Sequence, residues 1–307
     1  MRVTNHMLSA RVLHNLTASL QEFQKVSDQM SSGKAVSKPS DDPVAVSRIM
    51  SLKSNLTAQE RYHGNMSDAE NFLNTSDQAL ANFSDSLLRV RELMLKGGTG
   101  SLSLSDRAAI SCEVDEIIDQ LVEVGNTMCG SQYIFGGFTT LTKPLTRDGD
   151  VITYNGDSGQ IKYELGRGVL MAVNIEGNNL CQVIGPPVPA DEGNTDLFNT
   201  LIVIKNNLKN NTNVEDLTGE LLNKCDQLSD HILSLRAVVG AREKRIEMAK
   251  DRNEGDKIEI TKVLSNMADV DLAKVAMEYS EKAYVYQAAL ATASQMLTLS
   301  LVDYIAR

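Results

Sequence analysis

Residues 272–304 read LAKVAMEYSEKAYVYQAALATASQMLTLSLVDY. Within them Leu272, Ala276, Tyr279, Ala283, Tyr286, Leu290, Ala293, Leu297, Leu301 and Tyr304 follow at gaps of 4, 3, 4, 3, 4, 3, 4, 4 and 3 residues. An α-helix turns once in about 3.6 residues, so this spacing lays a single apolar seam along one face. Alternating steps of four and three mark helices that pack lengthwise on a partner. The other chain end carries a matching seam of Leu13, Leu16, Leu20, Phe23 and Met30, with Ser27 in the remaining position. Two such ends predict helices that pair with each other or with neighbouring copies.

Working inward, the N-terminal seam stops at Ser32-Gly33, where glycine readily takes the left-handed conformation that closes a helix. In the connector Lys34–Pro43, Pro39 and Pro43 forbid helix interior. Ser40, Asp41 or Asp42 is placed to cap the next helix, with Pro43 in its first turn. That helix is long. Met66, Ala69, Leu73, Leu80, Phe83, Leu87, Val90 and Met94 keep a seven-residue repeat broken by Asp77, and Gly97-Gly98-Thr99-Gly100 ends it. Ser105 and Asp106 open a third helix with Ile110, Val114, Ile117, Leu121, Val124 and Met128 on one face. Helix returns at Asp196-Leu197-Phe198, and Val214, Leu217, Leu221, Leu228, Ile232, Leu235 and Val239 form another stripe. Ile117, Leu121, Leu221 and Leu228 are expected in one shared core.

From about Ser131 to Pro189 the period changes. Val151–Tyr154 and Ile161–Leu165 read as strands, with Asn155-Gly156-Asp157-Ser158-Gly159 as a hairpin turn between them. Val169–Ile175 and Leu180–Ile184 extend the β reading, with Gly177-Asn178 as a turn. The expected fold class is therefore mainly α with a β insert (α+β). Both chain ends form a long antiparallel helical bundle or coiled coil, and a small β-rich domain lies outward. The expected division is 1–40 with 265–307 for the terminal coiled coil, 41–135 with 192–264 for the helical body, and 136–191 for the β domain. The insert is expected to be removable without unfolding the helices.

Composition narrows the function. Lys+Arg number 30 and Asp+Glu 40, a net charge of −10, which argues against nucleic acid as the main partner. The N-terminus shows no basic stretch followed by an apolar one, so no cleaved secretory signal is expected. No window approaches the roughly 18 consecutive apolar residues of a membrane span. Cys112, Cys129, Cys181 and Cys225 form no C-x-x-C and have no histidine at ligand spacing, so they read as buried small apolar side chains. His6, His14, His63 and His231 are scattered through helical stretches. No nucleophile elbow, zinc-protease, Walker or Rossmann pattern is present. Asp115-Glu116 and the Arg242–Glu247 cluster read as solvated helix faces. Asn155 and Asp157 lack the rest of a calcium loop. No catalytic residue, cofactor or metal is expected.

Three stretches carry a family resemblance: Asn5-His6-Met7-Leu8 through Leu16 and Leu20; Ser31-Ser32-Gly33-Lys34 with Pro39-Ser40-Asp41-Asp42-Pro43 and Val46-Ser47-Arg48; and Gln132-Tyr133-Ile134-Phe135-Gly136-Gly137. With the C-terminal heptads ending Leu301-Val302-Asp303-Tyr304-Ile305, they resemble the bacterial flagellin family. The connector and the Tyr-Ile-Phe-Gly-Gly run resemble its hook–filament junction branch, with a filament flagellin proper as the alternative. The resemblance implies a non-enzymatic building block, exported unfolded. The seams themselves bury few large aliphatics, at roughly 1.5–3 kcal/mol each, against about 1–2 kcal/mol of backbone entropy per ordered residue, so the ends of a lone subunit are expected to be largely disordered. It implies these partners: hook-associated protein 1 on the hook side, flagellin on the filament side, further copies in a ring, a cytoplasmic export chaperone and the flagellar type III export apparatus. Leu13, Leu16, Leu20, Phe23, Tyr279, Tyr286, Leu290, Leu297, Leu301 and Tyr304 are then the assembly and chaperone interface. A signalling coiled coil with a β sensor would need a membrane span or a second catalytic module, and neither is legible.

Overall fold

Residues 5–36, 38–99, 102–181, 196–212 and 215–305 are described by the computed structural model. Helix α1 (Asn5–Ser32) ends where Gly33 takes a φ of 68°. Helix α2 (Pro43–Gly97) begins under the Asp42 carboxylate, which accepts hydrogen bonds from the backbone N–H groups of Val44 (3.0 Å) and Ala45 (2.9 Å). Helix α3 (Leu104–Gly125) is capped by Ser103, two residues before the Ser105 expected to open it. Ser103 and Asp106 close a reciprocal capping box that satisfies two otherwise orphan N–H groups. Met128 falls beyond this helix and begins the short strand β1 (Met128–Cys129), which pairs with β2 (Gln132–Tyr133). Helix α5 (Asp196–Asn210) precedes a single 3₁₀ turn, Asp216–Thr218, and then α6 (Glu220–Ala268) and α7 (Leu272–Ile305). Val214 lies outside the described residues.

The contacts divide the chain into two units. One comprises Met1–Gln59 and Glu254–Arg307, the other Glu60–Asn253.

The second unit holds nearly all of the core. Met66, Ala69, Leu73, Leu80, Phe83, Leu87, Val90 and Met94 are all fully buried, so the α2 stripe faces inward along its length. Ile110, Val114, Ile117, Ile118 and Leu121 of α3 are buried, as are Leu221, Cys225, Leu228, Ile232 and Val239 of α6. Asp77, the polar interruption in α2, bonds the Arg236 guanidinium at 3.1 and 3.2 Å. Cys225 fills the heptad gap between Leu221 and Leu228, where burial pushes its thiol pKa up to about 11. The expectation of buried cysteines fails elsewhere: Cys112 is exposed and Cys129 half-exposed, while the Cys181 side chain lies outside the described residues.

The β segment differs from the sequence reading in its turns. The strands form three separate antiparallel pairs, β1–β2, β3 (Leu145–Asp148) with β4 (Val151–Tyr154), and β5 (Lys162–Gly166) with β6 (Val169–Ala172). The hairpins therefore turn at Gly149 and Gly168, with φ of 62° and 73°, because these glycines supply the left-handed backbone of a tight hairpin. Asn155–Gly159 is instead a connector between β4 and β5, which do not pair with each other. It is organised by Asp157, whose carboxylate accepts from Phe138 N (2.7 Å) and Gly159 N (2.8 Å). Leu180 is not in a strand either, since Gly177–Cys181 forms the short helix α4 and buries Leu180 inside.

The Tyr133–Gly137 run forms the corner that joins this segment to the bundle. Phe135 meets Phe83 edge-on, ring centroids 6.4 Å apart. The Tyr154 hydroxyl donates to Phe135 O at 2.7 Å. Gly137, at φ 67°, lies so close to Asp157 that a Cβ would collide with it.

Ion pairs bolt the corner down. Lys205 of α5, itself buried, reaches Asp150 of the β3–β4 turn and Asp115 of α3. Arg147 of β3 holds Asp115 and Asp119, the latter at 2.6 Å. Asp115 is thus a structural partner and not a solvated face. Burial raises its pKa, but Arg147 and Lys205 outweigh that and hold it below the ordinary value. Arg242 also departs from the expected solvated face. Burial lowers its pKa, and it donates to Asn174 O at 3.0 Å.

Candidate assembly interface

The first unit is built around α1 and α7, which pack along each other. They run antiparallel: Lys34 pairs with Asp269 near one end, and Glu22 with Lys282 (2.6 Å) further along. Phe23 sits between two tyrosines of the facing seam, 5.2 Å from the Tyr279 centroid and stacked at 6.0 Å on Tyr286.

Only part of each expected seam is covered. Leu16, Leu20, Phe23, Tyr279 and Tyr286 are half-buried, whereas Leu13 is 54% and Leu290 42% exposed. The backbones of Leu297, Leu301 and Tyr304 lie in α7, but their side chains are outside the described residues. Among the described residues, Val26, Val275 and Ala293 are the side chains of this pair that are buried. Val26 was missed because a strict heptad from Leu20 lands on Ser27. A straight helix drifts from that repeat, and the step of three from Phe23 reaches Val26 instead.

Among the described residues this unit has a meagre core. Five apolar residues are buried (Val26, Ile49, Ala268, Val275 and Ala293), against twelve large apolar side chains left exposed. In Glu60–Asn253 the proportion is reversed, with thirty-nine buried and thirteen exposed. The exposed set includes Met277 (68%), Tyr284 (74%) and Val285 (50%) on α7, and Val44 (75%) and Met50 (66%) on α2. Apolar surface on this scale marks an association surface.

Charge divides the same way. Met1–Gln59 and Glu254–Arg307 hold twelve Lys+Arg and twelve Asp+Glu, while Glu60–Asn253 holds eighteen and twenty-eight. The core-poor unit is therefore electrically neutral, and the whole net charge of −10 sits on the other. Neutral apolar helices stack on copies of themselves without like-charge repulsion.

Among the described residues no group of three His, Cys, Asp or Glu side chains is placed to hold a metal ion. No helix among them is long and apolar enough to cross a membrane.

Long helices, a well-packed body, and paired chain ends that leave their apolar faces open define a self-assembling structural subunit. Residues 3–140 match the family model of the bacterial flagellin N-terminal helical region, and residues 222–305 that of the C-terminal helical region. The chain belongs to the bacterial flagellin family, a family of structural flagellar components and not of enzymes. It is 24% identical to flagellar hook-associated protein 3 of Salmonella typhimurium, the alignment covering 98% of both chains. It is likewise 24% identical to flagellar hook-associated protein 3 of Escherichia coli, again over 98% of each. Its fold is similar to the crystal structure of flagellar hook associated protein-3 from Legionella pneumophila, with a TM-score of 0.64 at 21% identity, covering 71% of this chain and 98% of that one.

Proposed function

We propose that this chain is the structural adaptor that joins the hook-associated ring to the flagellin filament. The observation that carries this is the end-to-end alignment with two hook-associated proteins 3, which leaves no part of the chain unmatched on a large scale. The core-poor, neutral terminal unit supports the packing side of the reading. Its partners are hook-associated protein 1 toward the hook, flagellin toward the filament, and further copies of itself in a ring. A head-to-tail contact between identical copies builds such a layer. Before assembly a cytoplasmic export chaperone covers the open seams, and the flagellar type III export apparatus carries the chain out.

The division into a terminal coiled coil (1–40, 265–307), a helical body (41–135, 192–264) and a β-rich outer domain (136–191) belongs to the same proposal. So do the interface residues Leu13, Leu16, Leu20, Phe23, Tyr279, Tyr286, Leu290, Leu297, Leu301 and Tyr304. Immunogold labelling of detached flagella tests it. A label confined to the boundary between hook and filament is expected. Label along the whole filament would instead make this a filament flagellin.

A further inference from the structure

The α1–α7 seam is degenerate. Tyr279 and Tyr286 lie one heptad apart, as do Ala276 and Ala283, and on α1 so do Leu13 and Leu20, and Leu16 and Phe23. Sliding one helix by seven residues therefore brings like against like, and a narrow, small-residue seam resists such a slip weakly. Phe23, which already touches both tyrosines, does not choose between registers.

One feature outside the seam does choose. The backbone leaving α1 forms an antiparallel bridge with the backbone entering α7, Lys34 opposite Asp269. Val270 N donates to Gly33 O at 3.1 Å, and Ala35 N donates to Ala268 O at 2.8 Å. The flanking groups hold this bridge in place. Gln29 Nε2 donates to Ala35 O at 2.8 Å, and Ser265 Oγ donates to Asp269 Oδ2 at 2.7 Å. Lys34 Nζ donates to Asp269 Oδ1 at 2.5 Å. Asp271 caps α7 through Ala273 N at 3.0 Å, so the helix start is pinned directly after the bridge. Gly33 makes the approach possible, since its φ of 68° turns the chain out of α1 toward Ala268–Val270. Unlike the seam, a backbone bridge has no equivalent partner seven residues away: the stretches seven before and seven after Ala268–Val270 lie inside α6 and α7, and the stretch seven before Gly33–Ala35 lies inside α1, where the backbone donors and acceptors are already used.

We propose that the Gly33–Ala35 and Ala268–Val270 bridge is a register latch that selects one of several near-equivalent alignments of the two chain ends. The idea rests on the reading of those ends as an assembly pair. The latch fixes which apolar side chains α1 and α7 leave outward, and hence the pattern an adjoining copy must match. The backbone bonds carry it, and the exposed Lys34–Asp269 pair adds little.

Cross-linking in the full-length chain tests this, in a background with Cys112→Ser, Cys129→Ser, Cys181→Ser and Cys225→Ala. Glu22→Cys is combined in turn with Lys282→Cys and with Ala289→Cys, and exposed Asn15→Cys with Lys282→Cys, and each pair is treated with a short bis-maleimide. The last two combinations probe registers slipped one heptad either way, about 10 Å along the helix. With the latch intact, the 22–282 product should exceed the other two at least tenfold. Ala35→Pro or Val270→Pro removes one bridging N–H, and either is expected to bring the three yields within about threefold of one another. Lys34→Glu alone should leave the preference largely in place. Two substitutions at separate ends of the bridge guard against a local misfolding of one of them, and the melt of the body serves as the folding control. A 22–282 preference that survives both prolines would overturn the latch and assign register to the side chains. Equal yields with the bridge intact would overturn it as well, and would leave the junction reading untouched, since that reading is tested by the labelling of flagella.

Discussion

At the residue scale, Gly137 and Glu243 each make a sharp forecast. Gly137 combines a φ of 67° with a backbone pressed against Asp157. Gly137→Ala adds left-handed strain of about 1–2 kcal/mol to a steric clash, so the body should lose at least about 2 kcal/mol in a thermal or urea melt. Glu243 has a buried Oε1 that, among the described residues, meets no hydrogen-bond donor. Burial first, and then the charges of Asp77 and Glu70, raise its pKa above the ordinary value. A raised carboxyl favours folding while protonated, and that contribution is lost as pH rises through the folded-state pKa. Glu243→Gln should therefore stabilise the body by about 1 kcal/mol at pH 7, and the gain should vanish in melts taken below the ordinary carboxylate range. None of this was legible in the sequence. Asp157 and Gly137 are twenty residues apart, and only the folded corner brings them into contact.

Among elements, the helices were legible and the hairpins were not. Gly33, Asp42 and Gly97 mark helix ends through local chemistry, which does not depend on the rest of the fold. The β turns were misplaced because Asn155-Gly156 and Asp148-Gly149 are both good turn signals, and tertiary contacts decide between them. Once the Asp157 carboxylate holds Phe138 N and Gly159 N, residues 155–159 are committed to the corner and unavailable as a hairpin. The ties from this segment to the helices also revise its expected independence. Arg147 and Asp150 are partners of Asp115, Asp119 and Lys205, and Asn65 Nδ2 donates to Glu164 O at 3.0 Å. Replacing Thr146–Ile184 by a short linker should still preserve most of the helical circular dichroism, because α2 keeps its ties to α6 and to α3, and α3 its packing on α5. The midpoint should fall, however, since Asp115 and Asp119 lose Arg147 and Lys205 keeps only Asp115 of its two carboxylate partners, and a lost hydrogen bond to a charged group costs about 1.5–3 kcal/mol. An unchanged midpoint would show that the ion pairs contribute nothing.

For the whole molecule, the two seams were readable because periodicity needs only sequence, whereas which residues stay uncovered depends on how far the pair closes. Exposed Leu290 offers the discriminating test. Leu290→Asp should leave the monomer's melt nearly unchanged yet block incorporation into flagella, scored by swimming and by electron microscopy of the hook tip. Limited proteolysis of the free chain should trim both ends before cutting between residues 66 and 130. Ends as resistant as that interval would show that the pair is stable alone. The segregation of charge has a further consequence, for the behaviour of the chain as a colloid. A neutral sticky end joined to an acidic body makes each copy a charged particle with an uncharged adhesive patch. At about 0.01 M salt the screening length is roughly 30 Å, so the bodies hold one another apart and the patches seldom meet; at about 0.15 M it shrinks to about 8 Å. Light scattering should then show the repulsion between free monomers weaken steeply over this interval, while a truncated chain of residues 60–253, carrying all the charge and little of the adhesive, should stay dispersed at both.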